Sequence, residues 1–278
     1  MLKRIIKPIV PPIFISLAKS MRPAAPIIPT SGIREVECQG LKWRLDMSSI
    51  IARSMVGKGV WEEDTTRVIT DSVMTGMKVL SVGANFGYYA CLMAKLVGHA
   101  GHVWAFEPTR IFREQLEWHV KANGFEDRMT IVPYGLSDAP ASVSINVTPQ
   151  SASMHYWPGY NTTGTELIEL KTLDSVASGL GIDYIDFISM DIDGHEAKFL
   201  RGANASLRRS HPPIAMEFSQ RCLHHAGSDV RQVAGLLRDM GYDICRESTR
   251  KPFATEMEFL TVCGNFNSDS NALALPKV

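Results

Sequence analysis

"VLSVGANFGYYACLMAKLVG", Val79 to Gly98, decides how this chain is read. An apolar run enters a turn carrying Gly83 and Gly87 and leaves as an amphipathic helical pattern. A helix that opens from such a turn offers free backbone N–H groups and the positive end of its dipole. The two glycines remove side chains that would hold a ligand away from that backbone. The turn points to a nucleotide-like ligand. A glycine pair alone is not specific, so the flanking sequence has to decide.

Working outward, the pattern alternates. "LKWRLD" reads as a short strand and "WEEDTTRVITDSVM" as a helix before the opening stretch. "GHVWAFEP" is a second strand of the βα series, "IFREQLEWHVKANG" a helix ending on Asn-Gly, and "MTIVPYGLSD" a third strand. "IDFISMDIDGHEAKFLRGA" is a fourth strand running into a helix, "PIAMEFS" a fifth strand, "DVRQVAGLLRDMGYD" a helix, and "EFLTVCG" a last strand. Strands alternating with helices at this spacing predict a doubly wound α/β domain built on a mostly parallel sheet with helices on both faces. "QSASMHYWPGYNTTGT", Gln150 to Thr165, breaks the rhythm. It is polar with three aromatics, Tyr156, Trp157 and Tyr160, which suits a loop over a site.

Composition limits the alternatives. The 278 residues are 45% hydrophobic and 21% charged, which fits one main globular domain with appendages. The expected division is an arm over residues 1–32, a domain over 33–265 with an N-terminal strand and helix extension, and a tail over 266–278. Lys+Arg and Asp+Glu balance at 29 each, so no global charge draws the chain to nucleic acid. Five scattered cysteines without a CxxC pair read as reduced core or bystander thiols in the cytoplasm. The sequons at Asn146, Asn161 and Asn204 mean little without export.

"MLKRIIKPIVPPIFISLAKSMRP" sets Lys3, Arg4 and Lys7 beside a short apolar run, and six of the 15 prolines fall by residue 29. The run is too short and too often broken by proline to cross a bilayer as a helix. It reads first as a strap or disordered arm, then as a tether through residues 1–22 at the inner membrane surface, and last as a signal peptide.

Glu107 ends the second strand, 24 positions after Gly83. In a doubly wound sheet this position reaches the ribose hydroxyls of an adenosine lying across the first strand. The competing reading is a helix-cap carboxylate before Pro108. Glycines plus an acid fit both a nicotinamide dinucleotide and S-adenosylmethionine. Ala90 is an acceptable stand-in for the third glycine of the dinucleotide fingerprint, but Gly83 and Gly87 are spaced too widely for its first pair.

Together "SVGANFG", "AFEP", "GLSD", "LKTLDS", "MDIDGHE", "FLRGA" and "IAMEFS" resemble the FkbM-type S-adenosylmethionine-dependent methyltransferases in order and spacing, from about Gly40 to Asp243. The resemblance implies a class I methyltransferase, Rossmann-like fold with a seven-stranded sheet. It also implies methylation of a hydroxyl on a sugar, glycan or secondary metabolite. Carried over by position, Ser81, Gly83, Ala84, Asn85 and Gly87 face the methionine and sulfonium portion. Glu107 holds the ribose, and Leu136, Ser137 and Asp138 border the adenine, although Asp138 also reads as a plain turn residue. Three departures stand out: Ser81 replaces an Asp that fixes the cofactor's ammonium, Met190 replaces a Lys, and His195 replaces a small residue.

Methyl transfer from a sulfonium is an in-line displacement, so alignment and a nearby base carry the chemistry. Asp191, Asp193, His195 and Glu196 follow the fourth strand, at the end of the sheet that faces Gly83. Asp191 is the first choice for a cofactor-side or acceptor-side carboxylate. His195 is a candidate base by its reference pKa, or a helix-start histidine at the surface. Glu196 and Glu217 complete the catalytic candidates. Asp191, Asp193 and Glu217 are the ligands if a divalent metal is used, although the glutamate of a calcium loop is missing. Asp193 and Glu196 also suit the positive end of a helix. The rival functions are a silent S-adenosylmethionine-binding protein, excused by Ser81, and then a nicotinamide oxidoreductase. A nucleic-acid amino-methyltransferase is discounted because "HPPI" stands before the fifth strand and lacks the aromatic. The oligomeric state is not written in the sequence.

Overall fold

The computed structural model describes residues 28, 30–148, 151–153 and 162–277. The basic segment over residues 1–22, and the aromatics Tyr156, Trp157 and Tyr160, lie outside the described residues.

An antiparallel hairpin, β1 (Ile33–Cys38) and β2 (Leu41–Asp46), opens the described chain. Leu41, Trp43 and Leu45 alternate inward from β2, the period-two signature of a strand with one buried face. Helices α1 (Ile50–Lys58) and α2 (Glu63–Ser72) follow. The winding then begins with β3 (Lys78–Val82), α3 (Tyr88–Val97), β4 (His102–Phe106), α4 (Arg110–Asn123) and β5 (Met129–Val132). Four strands intervene: β6 (Gly135–Leu136), β7 (Ala141–Val147), β8 (Ala152–Ser153) and β9 (Gly164–Lys171). Helix α5 (Leu173–Val176) leads to β10 (Phe187–Met190), α6 (Glu196–Gly202), α7 (Asn204–Ser210) and β11 (Ile214–Phe218). The chain closes with α8 (Gln220–His225), α9 (Val230–Asp239), β12 (Tyr242–Arg246), α10 (Glu256–Cys263) and β13 (Ser270–Pro276).

The central sheet has seven strands in the order β12-β13-β11-β10-β3-β4-β5, while β6-β9-β7-β8 form a separate sheet. The pairings from β11 across to β5 are parallel, and β13 runs antiparallel to both of its neighbours. Helical crossovers cover both faces of such a sheet, so its strands read as apolar strings rather than alternations. Every residue of β3 after Lys78 is buried. One face packs Trp43, Met55, Ile69 and Leu116 over the sheet, and the other packs Phe199, Phe218, Tyr242 and Phe259. The chain leaves β3 toward β5 on one side and returns to β10 on the other. The crevice at the strands' carboxyl ends is therefore the place for a ligand.

The expected end of the chain is corrected. "EFLTVCG" is not the last strand: residues Glu256–Cys263 form α10. Thr255 caps it by accepting from the Glu258 N–H, and Phe259 and Cys263, one turn apart, are its buried residues. The last strand is β13, inside the segment expected as a tail over residues 266–278, so the domain does not stop at residue 265. Its middle, Ala272 to Ala274, is buried because strands flank it on both sides. Helix α9 also stops earlier than expected, at Asp239. Gly241, with φ 85°, turns the chain into β12, a strand that the sequence pattern hid inside the helix.

Candidate active site

A cavity of about 350 Å³ opens at the carboxyl ends of β3, β4 and β10, beneath the β7–β9 sheet. Ser81, Gly83, Ala84, Asn85, Glu107, Leu136, Asp191, Asp193, His195 and Glu217 line it. Gly87, Ser137, Asp138 and Glu196, expected at the site, stand outside its wall.

The 83–87 turn is tied down at every amide. The Gly83 and Ala84 N–H groups donate to the Phe106 carbonyl at 3.0 and 2.9 Å, and the Gly87 N–H donates to Ala84 O at 2.9 Å. Asn85 N–H donates to Glu107 Oε2 at 2.7 Å, and Phe86 N–H to Asn85 Oδ1 at 2.7 Å. No N–H of residues 83–87 themselves is left for a ligand. Pyrophosphate needs such donors, whereas an ammonium or a ribose hydroxyl needs acceptors. The wall supplies acceptors in Ser81, Glu107 and Asp191.

Gly83 lines the cavity, and both glycines also permit close packing. A Cβ on Gly83 would lie 1.9 Å from the Asp191 carbonyl oxygen, so Gly83 lets the end of β3 touch the turn after β10. A Cβ on Gly87 would lie 2.3 Å from Leu116 Cδ1. Gly87, with φ 101°, thus seats α3 against α4 and does not face the ligand space. Buried His119 clamps the turn from outside. Its Nε2 accepts from the Arg44 N–H at 3.0 Å, which leaves Nδ1 to donate to Phe86 O at 2.8 Å. Burial depresses its pKa, so the clamp stays neutral.

Glu107 is both an anchor and a cavity acid. Oε2 accepts from Asn85 and Oε1 from the Thr109 N–H at 2.8 Å, at the start of α4. The capping role and the cavity-facing role therefore coexist, because a carboxylate has about four acceptor positions and two are used. Burial raises its pKa, and the Thr109 and Asn85 amides oppose that rise.

Asp191 is exposed to the cavity yet hemmed in by protein. Desolvation, then the charges of Asp193, Glu62 and Glu196, push its pKa well above the carboxylate range. Glu217, in β11 beside the end of β10, is pushed up in the same way by burial and by Asp191. Asp193, in the left-handed region at φ 50°, accepts from Ser151 Oγ at 2.7 Å, joining the turn after β10 to the separate sheet. His195 sits at the N-cap of α6 but is buried, not a surface histidine. Glu196 turns inward at the start of α6. Its Oε1 accepts from Gly194 N–H at 3.3 Å, and burial raises its pKa to about 7. A helix-start acid explains it, and its carboxyl lies away from the cavity. Asp138 is an exposed turn residue 4.0 Å from Arg201, and the Ser137 carbonyl closes on Gly202. Among the described residues, no group of three or more His, Cys, Asp or Glu side chains is arranged to hold a metal ion. Among them too, no helix is long and apolar enough to cross a membrane.

Residues 81–244 match the model of the methyltransferase FkbM domain. The chain belongs to the FkbM methyltransferase family. It carries the S-adenosylmethionine-dependent methyltransferase fold, and the acceptor-lined turn suits that cofactor's ammonium and ribose. The hexuronic acid methyltransferase AglP of Haloferax volcanii is 26% identical over 181 residues, 64% of this chain and 68% of AglP. The methyltransferase FkbM structure from Methylobacillus flagellatus is 19% identical with a TM-score of 0.47, covering 71% of this chain and 43% of that one. Fibrillarin of Aeropyrum pernix, solved with natively bound S-adenosyl-L-methionine, is 14% identical with a TM-score of 0.45, covering 90% and 84%.

The FkbM vocabulary missed part of the cavity wall. Trp61 and Tyr89 belong to it, as do Arg221 and Asp269, which approach each other to 3.7 Å. Asn146, Thr148 and Ser151 reach it from the separate sheet and its turn. Tyr89, two positions after Gly87, was the one legible signal, since helix starts at such turns face the crevice.

Proposed function

We propose that this FkbM methyltransferase transfers the methyl group of S-adenosylmethionine to a hydroxyl of a sugar, free or glycan-linked. The observation that carries this reading is that Glu107, Asp191 and Glu217 line one cavity: a carboxylate after β4 placed for a ribose, with two more after β10 and in β11. The cofactor, when bound, supplies an electrophilic methyl on a sulfonium. Ser81 and Asp191 would accept from its ammonium side and Glu107 from its ribose, which would fix the line of approach for the incoming oxygen. Asp191 takes the acceptor's hydroxyl proton on a carboxylate oxygen. Burial and its acidic neighbours favour the protonated form of Asp191, and the cofactor's positive charge would favour the ionised form that can act as a base. The polar side chains Asn146, Thr148 and Ser151 suit a polyhydroxylated partner, and AglP, by its name, acts on a sugar acid. A secondary-metabolite alcohol is the alternative acceptor.

Calorimetry with S-adenosylmethionine and with NAD separates the cofactors. Labelled methyl transfer to glycosides, uronides and aromatic alcohols then identifies the acceptor. Tight NAD binding with no S-adenosylmethionine binding would sink the proposal. Cofactor binding with no transfer to any of these acceptors would mark a silent protein in which Ser81 has cost the activity.

A further inference from the structure

We infer that Trp61 is an acceptor-positioning residue, presented to the cavity by a turn that two tyrosines and a half-buried glutamate lock in place. The inference rests on the hydroxyl-methyltransferase reading and adds to it the surface that holds the acceptor.

Trp61 stands between α1 and α2, in the N-terminal extension rather than in the wound sheet. Its backbone N–H and carbonyl are both engaged by protein. Its N–H donates to Tyr88 Oη at 3.2 Å, and its carbonyl accepts from Thr66 Oγ1 at 2.7 Å. With both backbone groups taken, any contact that Trp61 makes with a ligand in the cavity it lines is made by its indole. The next residue, Glu62, is held in the left-handed region at φ 40°, a conformation that costs energy for a non-glycine residue and persists only where neighbours enforce it. The neighbours are identifiable. Glu62 Oε2 accepts from Tyr89 Oη at 2.6 Å and from Asn271 Nδ2 at 2.8 Å, and Asn271 also donates to Thr65 Oγ1 at 2.8 Å.

This network also says which half of the cavity Trp61 serves. Asn271 is the strand partner of Glu217 in the β11–β13 register. The bond from Glu62 to Asn271 therefore ties the Trp61 turn to β13, beside Glu217 of β11 and on the far side of β10 from Glu107. A cofactor whose ribose lies at Glu107 crosses the end of β3 and leaves the β11 side open for the acceptor. An indole there offers a flat apolar face and one N–H donor, which suits the C–H face and hydroxyls of a pyranose.

The test uses the full chain, Trp61→Ala, Trp61→Phe and Tyr89→Phe, each checked for an unchanged unfolding midpoint. The acceptor is whichever compound the natural chain methylates. A non-sugar acceptor thus sinks the sugar reading while still testing Trp61. Trp61→Ala should raise the acceptor KM about tenfold, and Trp61→Phe about threefold because it keeps the ring and loses the donor. The S-adenosylmethionine Kd should stay within about twofold of the natural value, since Trp61 is placed away from Glu107. Tyr89→Phe should raise the acceptor KM in the same direction by freeing the turn. A cofactor Kd raised about tenfold with an unchanged acceptor KM would overturn the inference and assign Trp61 to the cofactor's methionine end. Unchanged values for both would overturn it as well.

Discussion

Glu107 is asked to do two things with one carboxylate. It pins the 83–87 turn through Asn85 N–H and the start of α4 through Thr109 N–H, and it faces the cavity where a ribose would lie. Glu107→Gln keeps the shape but turns an amide NH2 toward one of those backbone donors. Cofactor affinity should fall by about 1.5–3 kcal/mol, the scale of a hydrogen bond to a charged group. Calorimetry with S-adenosylmethionine reads this directly, and an unchanged Kd would leave Glu107 with its anchoring role alone. Ser81 poses the opposite problem. It is buried in β3, between Ser189 of β10 and Ala105 of β4, where the family pattern has an aspartate. Ser81→Asp should tighten the cofactor by about 1–2 kcal/mol, because an ammonium gains a charge-assisted partner. The same substitution adds a charge beside Asp191, so the ligand-free protein should unfold at a lower temperature. Weaker cofactor binding in a folded Ser81→Asp protein would mean that the ammonium is held elsewhere.

At the scale of elements, Gly87 shows where residue types mislead. The sequence places it against the ligand, but the structure places it against Leu116 of α4. Gly87→Val should therefore act on the fold. The new side chain meets Leu116, and the backbone at φ 101° disfavours any L side chain. Loss of stability of about 2 kcal/mol or more is expected, on the scale of overpacking plus backbone strain. A normal unfolding midpoint with abolished cofactor binding would restore the original assignment. The parallel strands were legible because burial on both faces writes them as apolar strings bounded by glycine or proline. β13 was not, since a seven-residue antiparallel insertion at the end of the chain has no following helix to mark it. α10 was read as a strand because "EFLTVCG" is as apolar as a buried strand, and only Thr255 and the acids after it signal a helix start. The part of the cavity wall around Gly83 and Glu107 was legible because it depends on backbone turns with local spacing. Trp61, Arg221 and Asp269 on the same wall are distant in sequence and meet only through the fold.

Across the whole molecule, the carboxylates around the cavity tie binding to protons. Burial and mutual repulsion raise the pKa of Asp191, Asp193 and Glu217, and Glu196 beside them is raised to about 7. In the unfolded chain these groups ionise near pH 4. Their protonated forms thus favour the fold at low pH, and that contribution is lost as pH rises through the folded values, about 7 for Glu196. A cation placed among them reverses the balance by favouring the ionised form. S-adenosylmethionine brings a sulfonium and an ammonium, so its binding should release protons and tighten as pH rises from about 6 to about 7, before an α-amino group with a pKa near 8 loses most of its charge. Calorimetry in buffers of different ionisation enthalpy counts those protons. Asp191→Asn should reduce the count, because it removes the cavity acid that the neighbouring carboxylates disfavour most openly. S-adenosylmethionine should also raise the unfolding temperature more at about pH 7 than at about pH 6, at one ligand concentration, since tighter binding stabilises the folded state by mass action. Proton uptake on binding, or a release that Asp191→Asn leaves unchanged, would show that the cation lies away from Asp191, and the base would then have to be sought at His195 on the same wall.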